Sequence, residues 1–255
     1  KLRCQTWLGL SRDMRIFGLG FRAEEGECGD WIQPRFHGNE VGLPENEGRT
    51  VKYHYMMGRG IGYKGNVNRH LEEGYLPILK GNIQDDGVNY SFTTFVTLEK
   101  SGLTGDALRG THFLVADSFG HHYMHTEEQK RLREELLDNE MNREEETVLY
   151  FKAEAVNNSE TPRYAWFKTV SAQNGYPKVK SYYEENTGFG CFSQDRVFCV
   201  SKFNGMPMGQ EEIAVLLKPG ETGTFEFMLP HRPIPYERAK LLSDHSFKSR
   251  LEACI

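Results

Sequence analysis

Two short stretches carry side chains suited to holding a sugar. Trp31 and Arg35 lie in Gly29-Asp30-Trp31-Ile32-Gln33-Pro34-Arg35, and Arg69, Glu72 and Tyr75 lie in Arg69-His70-Leu71-Glu72-Glu73-Gly74-Tyr75. Pyranose rings stack their C–H faces on indole or phenol rings, while a few polar groups fix orientation. Two guanidinium forks would bind hydroxyls or uronate carboxylates in bidentate fashion, with Glu72 as acceptor. Both stretches lack strand alternation, which predicts loop ends, where binding groups concentrate. The competing expectation is structural: Arg69 and Glu72 form an ordinary ion pair, and Trp31 plugs the end of the core. Trp166 lies in Tyr164-Ala165-Trp166-Phe167, a strand pattern, and is expected in core or interface. Trp7 sits too close to the start of the sequence to be assigned.

Other motifs carry less. His121, His122 and His125 spell H-H-x-x-H, so His121 and His125 would share a helical face as metal ligands do. The glutamate of a catalytic H-E-x-x-H is replaced by His122, and Gly120 favours a turn, so no metal is expected. Glycoside hydrolysis needs two carboxylates about 5 to 10 Å apart across a sugar. Glu72 and Glu73 are adjacent, and Asp85 and Asp86 sit in a turn signature where aspartate caps backbone, so no catalytic residue is assigned. Gly58 to Gly65 resembles a phosphate loop but is followed by no helix start, which fails the dinucleotide-binding context and leaves no cofactor expected. Cys4, Cys28, Cys191, Cys199 and Cys254 are odd in number with no C-x-x-C. Cys191 and Cys199 could meet across neighbouring strands, but buried free thiols are the expectation.

The elements that must position these residues are mainly strands. Val88, Tyr90, Phe92, Thr94, Val96 and Leu98 alternate after an Asp85-Asp86-Gly87 turn, a hairpin signature. The same period of two recurs in Val51 to Met57, Leu149 to Ala155, Ile213 to Leu217 and Phe225 to Leu229. Clean alternation points to antiparallel sheets with one face buried. With 26 glycines and 10 prolines spread over 255 residues, the chain reads as one large two-sheet β-sandwich without a domain linker. A net charge of -5 and no Lys/Arg cluster argue against a nucleic-acid partner. No apolar run approaches the roughly 20 residues of a membrane span.

Two segments read as helical. Thr126 to Glu146 opens with a capping box, Thr126 with Gln129, and places Leu132, Leu136, Leu137 and Met141 on one side. It is expected to cross between the halves of the sandwich and to stop before Glu144 to Glu146, an acidic, solvated end. Pro235 to Ile255 reads as a single helix with Leu241, Leu242, Phe247, Leu251, Cys254 and Ile255 as its apolar positions. That face either continues into a further domain or docks back on the sandwich.

Three blocks carry a family resemblance: Arg69 to Ile78 with the Tyr90 to Thr97 strand; Val148 to Lys168 with its Asn-rich turn; and Lys218-Pro219-Gly220-Glu221 through Phe225 to Pro230 into the terminal helix. Together they resemble the N-terminal β-supersandwich, galactose-mutarotase-like in fold, of bacterial six-hairpin glycosidase-like proteins. The resemblance implies a mainly β fold with one inserted helix, a sandwich over 1–234 and a linker helix over 235–255. It also implies an α/α-barrel partner domain bearing the acid and base, oligo- or polysaccharide as ligand, and a periplasmic or secreted setting. On that view the chain is a non-catalytic accessory sandwich of a carbohydrate-active enzyme. The alternative is a self-sufficient sugar-acting sandwich, such as a mutarotase-like epimerase using a His and a Glu.

Overall fold

The computed structural model describes residues 5–10, 13–21, 30–36, 39–58, 67–108, 110–116, 124–141, 144–173 and 179–255. The Gly-rich run over 59–65, His121, His122, Cys4 and Cys28 lie outside them. Sixteen strands are described: β1 (Thr6–Gly9), β2 (Arg15–Gly20), β3 (Asp30–Phe36), β4 (Asn39–Glu40), β5 (Lys52–Met57), β6 (Asn68–Leu71), β7 (Ile78–Asp85), β8 (Val88–Leu98), β9 (Thr147–Asn157), β10 (Arg163–Gln173), β11 (Tyr182–Tyr183), β12 (Phe189–Ser193), β13 (Arg196–Phe203), β14 (Met206–Pro207), β15 (Glu212–Leu217) and β16 (Thr222–Pro230). Four helices join them: α1 (Phe113–Ala116), α2 (Glu127–Met141), α3 (Tyr236–Ser243) and α4 (Phe247–Glu252).

The strands form two antiparallel sheets. The first runs β1-β2-β3-β5-β10-β15 with β4 on β3; the second runs β11-β12-β13-β16-β9-β8-β7-β6 with β14 on β13. The expected hairpin is present in full register from Asp85↔Val88 to Ile78↔Phe95. Its two-residue turn puts both Asp86 (φ 47°) and Gly87 (φ 80°) in the left-handed region, as a type I′ turn demands.

Alternation explains the layers. Phe17, Leu19, Phe21, Ile32, Tyr53, Tyr55 and Met57 of the first sheet meet Phe92, Phe151, Phe198, Phe225 and Phe227 of the second. Ring pairs tie the interface: Tyr55 on Phe151 at 5.0 Å, Tyr55 on Phe227 at 5.6 Å and Phe167 on Phe225 at 4.6 Å. The alternate residues of the second sheet, Phe95, Tyr150, Val200 and Met228, form a second core on its far side.

That second core is roofed by the C-terminal segment. The expected single helix over 235–255 is two helices, broken between Ser243 and Phe247, where Ser246 caps α4 by accepting from the Ser249 amide. The break lets Ala239 and Leu242 of α3 and Phe247 of α4 pack on the same sheet face, with Leu251 and Cys254 half-buried beside them, whereas Leu241 and Ile255 of the expected apolar face stay 64% and 75% exposed. Helix α2 carries the expected capping box: the Thr126 amide donates to Gln129 Oε1 (2.9 Å) and the Gln129 amide to Thr126 Oγ1 (3.2 Å). Leu136 and Leu137 reach the main core, while Leu132 remains 42% exposed.

Candidate functional site on the outer face of the first sheet

The strand β2 sets the site. Its inward residues are Phe17 and Leu19, and its outward ones are Ile16, Gly18 and Gly20. Two glycines in line leave a bare lane of backbone, and side chains of the neighbouring strands lie down on it. A Cβ on Gly20 would sit 2.2 Å from Cε2 of Trp31, so the indole occupies the space a side chain would need. Likewise a Cβ on Gly18 would meet the Gln5 amide at 2.3 Å. Trp7 of β1 is paired with Gly18, and Trp31 of β3 with both Gly20 and His54.

Cations complete the face. Lys52 holds its Nζ 4.1 Å from the centroid of the Trp31 ring, and the Arg35 guanidinium lies 5.5 Å from that of Trp7. An ammonium or guanidinium over an indole is attracted by the ring's negative face. The two rings differ in access. Trp31 is 5% exposed and serves as floor, whereas Trp7 is 53% exposed. Farther across the sheet, Trp166 is half-buried and Tyr164 exposed, their rings 6.2 Å apart. All three tryptophans therefore fall on outward positions of one sheet.

Trp31 and Arg35 lie in a strand, not a loop. Pro34 hid this, since proline argues against a strand interior. Its carbonyl accepts from Val41 N (3.3 Å), on the side away from β2, so the missing N–H removes no bond from the β2–β3 ladder. Arg69 is also in a strand. It is 2% exposed between the sheets, its guanidinium donating to Thr6 Oγ1 and lying 4.7 Å from the Phe21 ring. Glu72 pairs with Lys80 rather than with Arg69, and Tyr75, 71% exposed, donates its hydroxyl to Glu73 (2.7 Å). The structure thus brings Trp31 and Arg35 together on the first sheet, holds Arg69 inside the sandwich, and leaves Glu72 and Tyr75 at the β6–β7 turn of the second sheet. Sequence reading missed Trp7, Lys52 and the glycine lane. The signal was Phe17-Gly18-Leu19-Gly20, an alternation in which glycine takes the outward positions.

A second concentration of charge lies at one end of the sandwich. Arg15, buried, pairs with Asp13 (2.8 Å) and donates to the Glu145 carbonyl (2.8 Å), with Glu146 Oε2 at 3.8 Å. Glu99 takes the Arg238 guanidinium on both oxygens and the Glu146 amide (3.0 Å). Burial pushes the Glu146 carboxyl up to about 7, against the pull of Arg15, Arg232 and Arg238. The expectation of a solvated acidic end is therefore corrected. Glu145 accepts the Lys100 and Ser101 amides, and Glu146 is 7% exposed. His231, also buried, is held near 4 by desolvation and donates Nε2–H to the Arg35 carbonyl at 2.9 Å. A carboxyl that titrates near neutrality is a trait of general acids, but this one presents no open oxygen to a ligand.

Other acidic pairs are similarly committed. Asp86 shapes the hairpin turn and meets Arg163 at 3.5 Å, and Glu45, beside a cleft of about 410 Å3 lined also by Arg49, Val179, Lys180 and Phe192, is gripped by Arg196. Among the described residues no group of three His, Cys, Asp or Glu side chains could hold a metal ion. Cys191 and Cys199 are free and buried, and desolvation pushes both thiols up to about 12. No described helix is long and apolar enough to cross a membrane. No protein-family model matches the chain, and no curated protein matches it significantly.

Proposed function

We propose that this chain is a non-catalytic, carbohydrate-binding β-sandwich, the accessory domain of a glycosidase-like protein whose acid and base belong to a helical partner domain. The observation that carries the proposal is the exposed Trp7 ring on a glycine-floored sheet face, with the Arg35 guanidinium beside it and the Trp31 ring at the next strand pair. An open sheet face suits an extended oligosaccharide better than a single small sugar, because successive rings can be met along one plane. The acidic side chains point the same way: Glu146, the carboxyl with the character of a general acid, is buried, and Glu72, Asp86 and Glu45 are paired with Lys80, Arg163 and Arg196. A mutarotase-like epimerase would need a His and a Glu facing an open cleft, and His231 and Glu146 are 2% and 7% exposed.

The test is retention of the isolated chain on immobilised neutral and uronate-bearing polysaccharides. Wild type should bind, and Trp7→Ala should weaken retention by about tenfold, a loss of about 1.4 kcal/mol, with an unchanged melting temperature. Absence of binding by folded wild type, or binding indifferent to Trp7→Ala, rejects the proposal.

A further inference from the structure

Strand β15 closes the first sheet on the side opposite β1 and is a sheet edge. Glu212, Ala214 and Leu216 point outward and are exposed, Ile213 and Val215 are half-buried, and Leu217 is buried. The direction of its backbone groups follows from its neighbour. Trp166 of β10 receives the Gly58 N–H on its carbonyl and donates its own N–H to the Tyr90 hydroxyl, both away from β15. Trp166 lies opposite Ala214, so this is a non-hydrogen-bonded pair and the ladder bonds fall on Ala165↔Val215 and Phe167↔Ile213. Ala214 and Leu216 therefore turn both N–H and C=O outward, where no described backbone group meets them. Edges of this kind are usually blunted by Lys, Pro or a bulge. Between Glu212 and Leu217 the strand has neither Lys nor Pro, and Lys218-Pro219 follow only where the strand ends.

We propose that β15 pairs antiparallel with β15 of a second copy of this chain, about a twofold axis at Val215. In that register Ala214 of each copy exchanges both backbone bonds with Leu216 of the other, giving a self-complementary ladder. Glu212 of each copy then lies across from Lys218 of the other, on the outer face with both side chains exposed. The charges select this register. An axis at Ala214 would set Glu212 against Leu216, and an axis at Leu216 would set Lys218 against Ala214. Apolar surface supports the same contact: Tyr164, 53% exposed, and Leu216, 52% exposed, stand beside Ala214 and Trp166, and the twofold joins two such strips. The Lys218 amide and carbonyl are already used by Glu221, so the ladder ends there and the interface is short, of the weak class.

The test is sedimentation velocity of the full chain from low micromolar to near-millimolar concentration. The sedimenting mass should rise toward twice that of the chain. Ala214→Pro, which removes only an outward N–H, should keep the protein monomeric with its far-UV circular dichroism unchanged. Glu212→Lys and Lys218→Glu should each weaken association by about tenfold or more, and the double variant should return it to near wild type. A protein monomeric throughout overturns the proposal, as does a dimer indifferent to Ala214→Pro. Charge reversals that fail to rescue each other overturn the twofold at Val215.

Discussion

Trp31 and Trp7 differ in what their removal would do. Trp31 is 5% exposed, with its ring on the Gly20 backbone and under Lys52, so Trp31→Ala leaves a cavity and should cost about 3–5 kcal/mol. Thermal melting of the two alanine variants checks this: Trp31→Ala should melt well below Trp7→Ala, and equal melting would mean the indole is not a floor. The sequence pointed to Trp31 as a binding ring because Gly29, Asp30 and Pro34 around it read as a loop. Its burial depends on Lys52 and Gly20, which no local pattern joins to it. Arg69 misled in the same way, since a cation in a charged block reads as surface. Glu146 gives a pH signature. Its folded value of about 7 exceeds the ordinary 4.5, so the folded protein holds this proton more tightly than the unfolded chain. That contribution is complete below about pH 4.5 and is lost as pH rises through 7, on the order of 3 kcal/mol in all. Glu146→Gln keeps a neutral side chain throughout. Its melting temperature relative to wild type should be higher near pH 8 than near pH 5, and a difference that does not vary with pH would show that Glu146 is not buried as a proton carrier.

Elements were legible where the signal was local. The β7–β8 hairpin is written in an alternating strand and in Asp86-Gly87, and the structure supplies the left-handed pair that this turn needs. A Cβ on Gly87 at φ 80° would be strained and would also press on Ser159 at 3.1 Å. Gly87→Ala should therefore destabilise the protein by about 1 kcal/mol or more, measurable in chemical denaturation; a neutral result would mean that the turn relaxes to another type. The start of α2 was legible for the same reason, because a capping box lies within four residues. Pro235 to Ile255 was less so. Its apolar periodicity was visible, but the break at Asp244 to Ser246 was not, because it serves a surface contributed by β8, β9, β13 and β16. The pairing of β15 against β10, and of β3 against β5, is likewise set by contacts distant in sequence.

At the scale of the whole molecule, the second sheet is the shared wall of two cores. One face meets the first sheet, and the other is covered by α3 and α4. Ile78, Phe95, Val148, Tyr150, Phe189, Val200 and Met228 belong to the covered face, and Ala239, Leu242 and Phe247 are the side chains that cover it. Phe247 sits edge-on to Phe95 at 5.1 Å, and Phe95 stacks on Tyr150 at 5.3 Å. The polar side of the same roof is fixed by the Arg238 clamp on Glu99 and by Arg250, which donates to the carbonyls of Ser101 and Glu99 at 3.4 and 3.2 Å. Burying a large apolar side chain contributes roughly 1.5–3 kcal/mol, so α3 and α4 together account for several kcal/mol, a large part of the stability of an ordinary domain. Removing the residues after Ile234 should therefore do more than free a tail. The shortened chain should bind a hydrophobic dye, aggregate at concentrations where the full chain is soluble, and melt at least 10 °C lower, roughly what a loss of a few kcal/mol gives in a domain of this size. The less drastic Leu242→Ala should move in the same direction by about 2–5 kcal/mol. A shortened chain that melts like the full one would mean that the two helices only rest on the sheet.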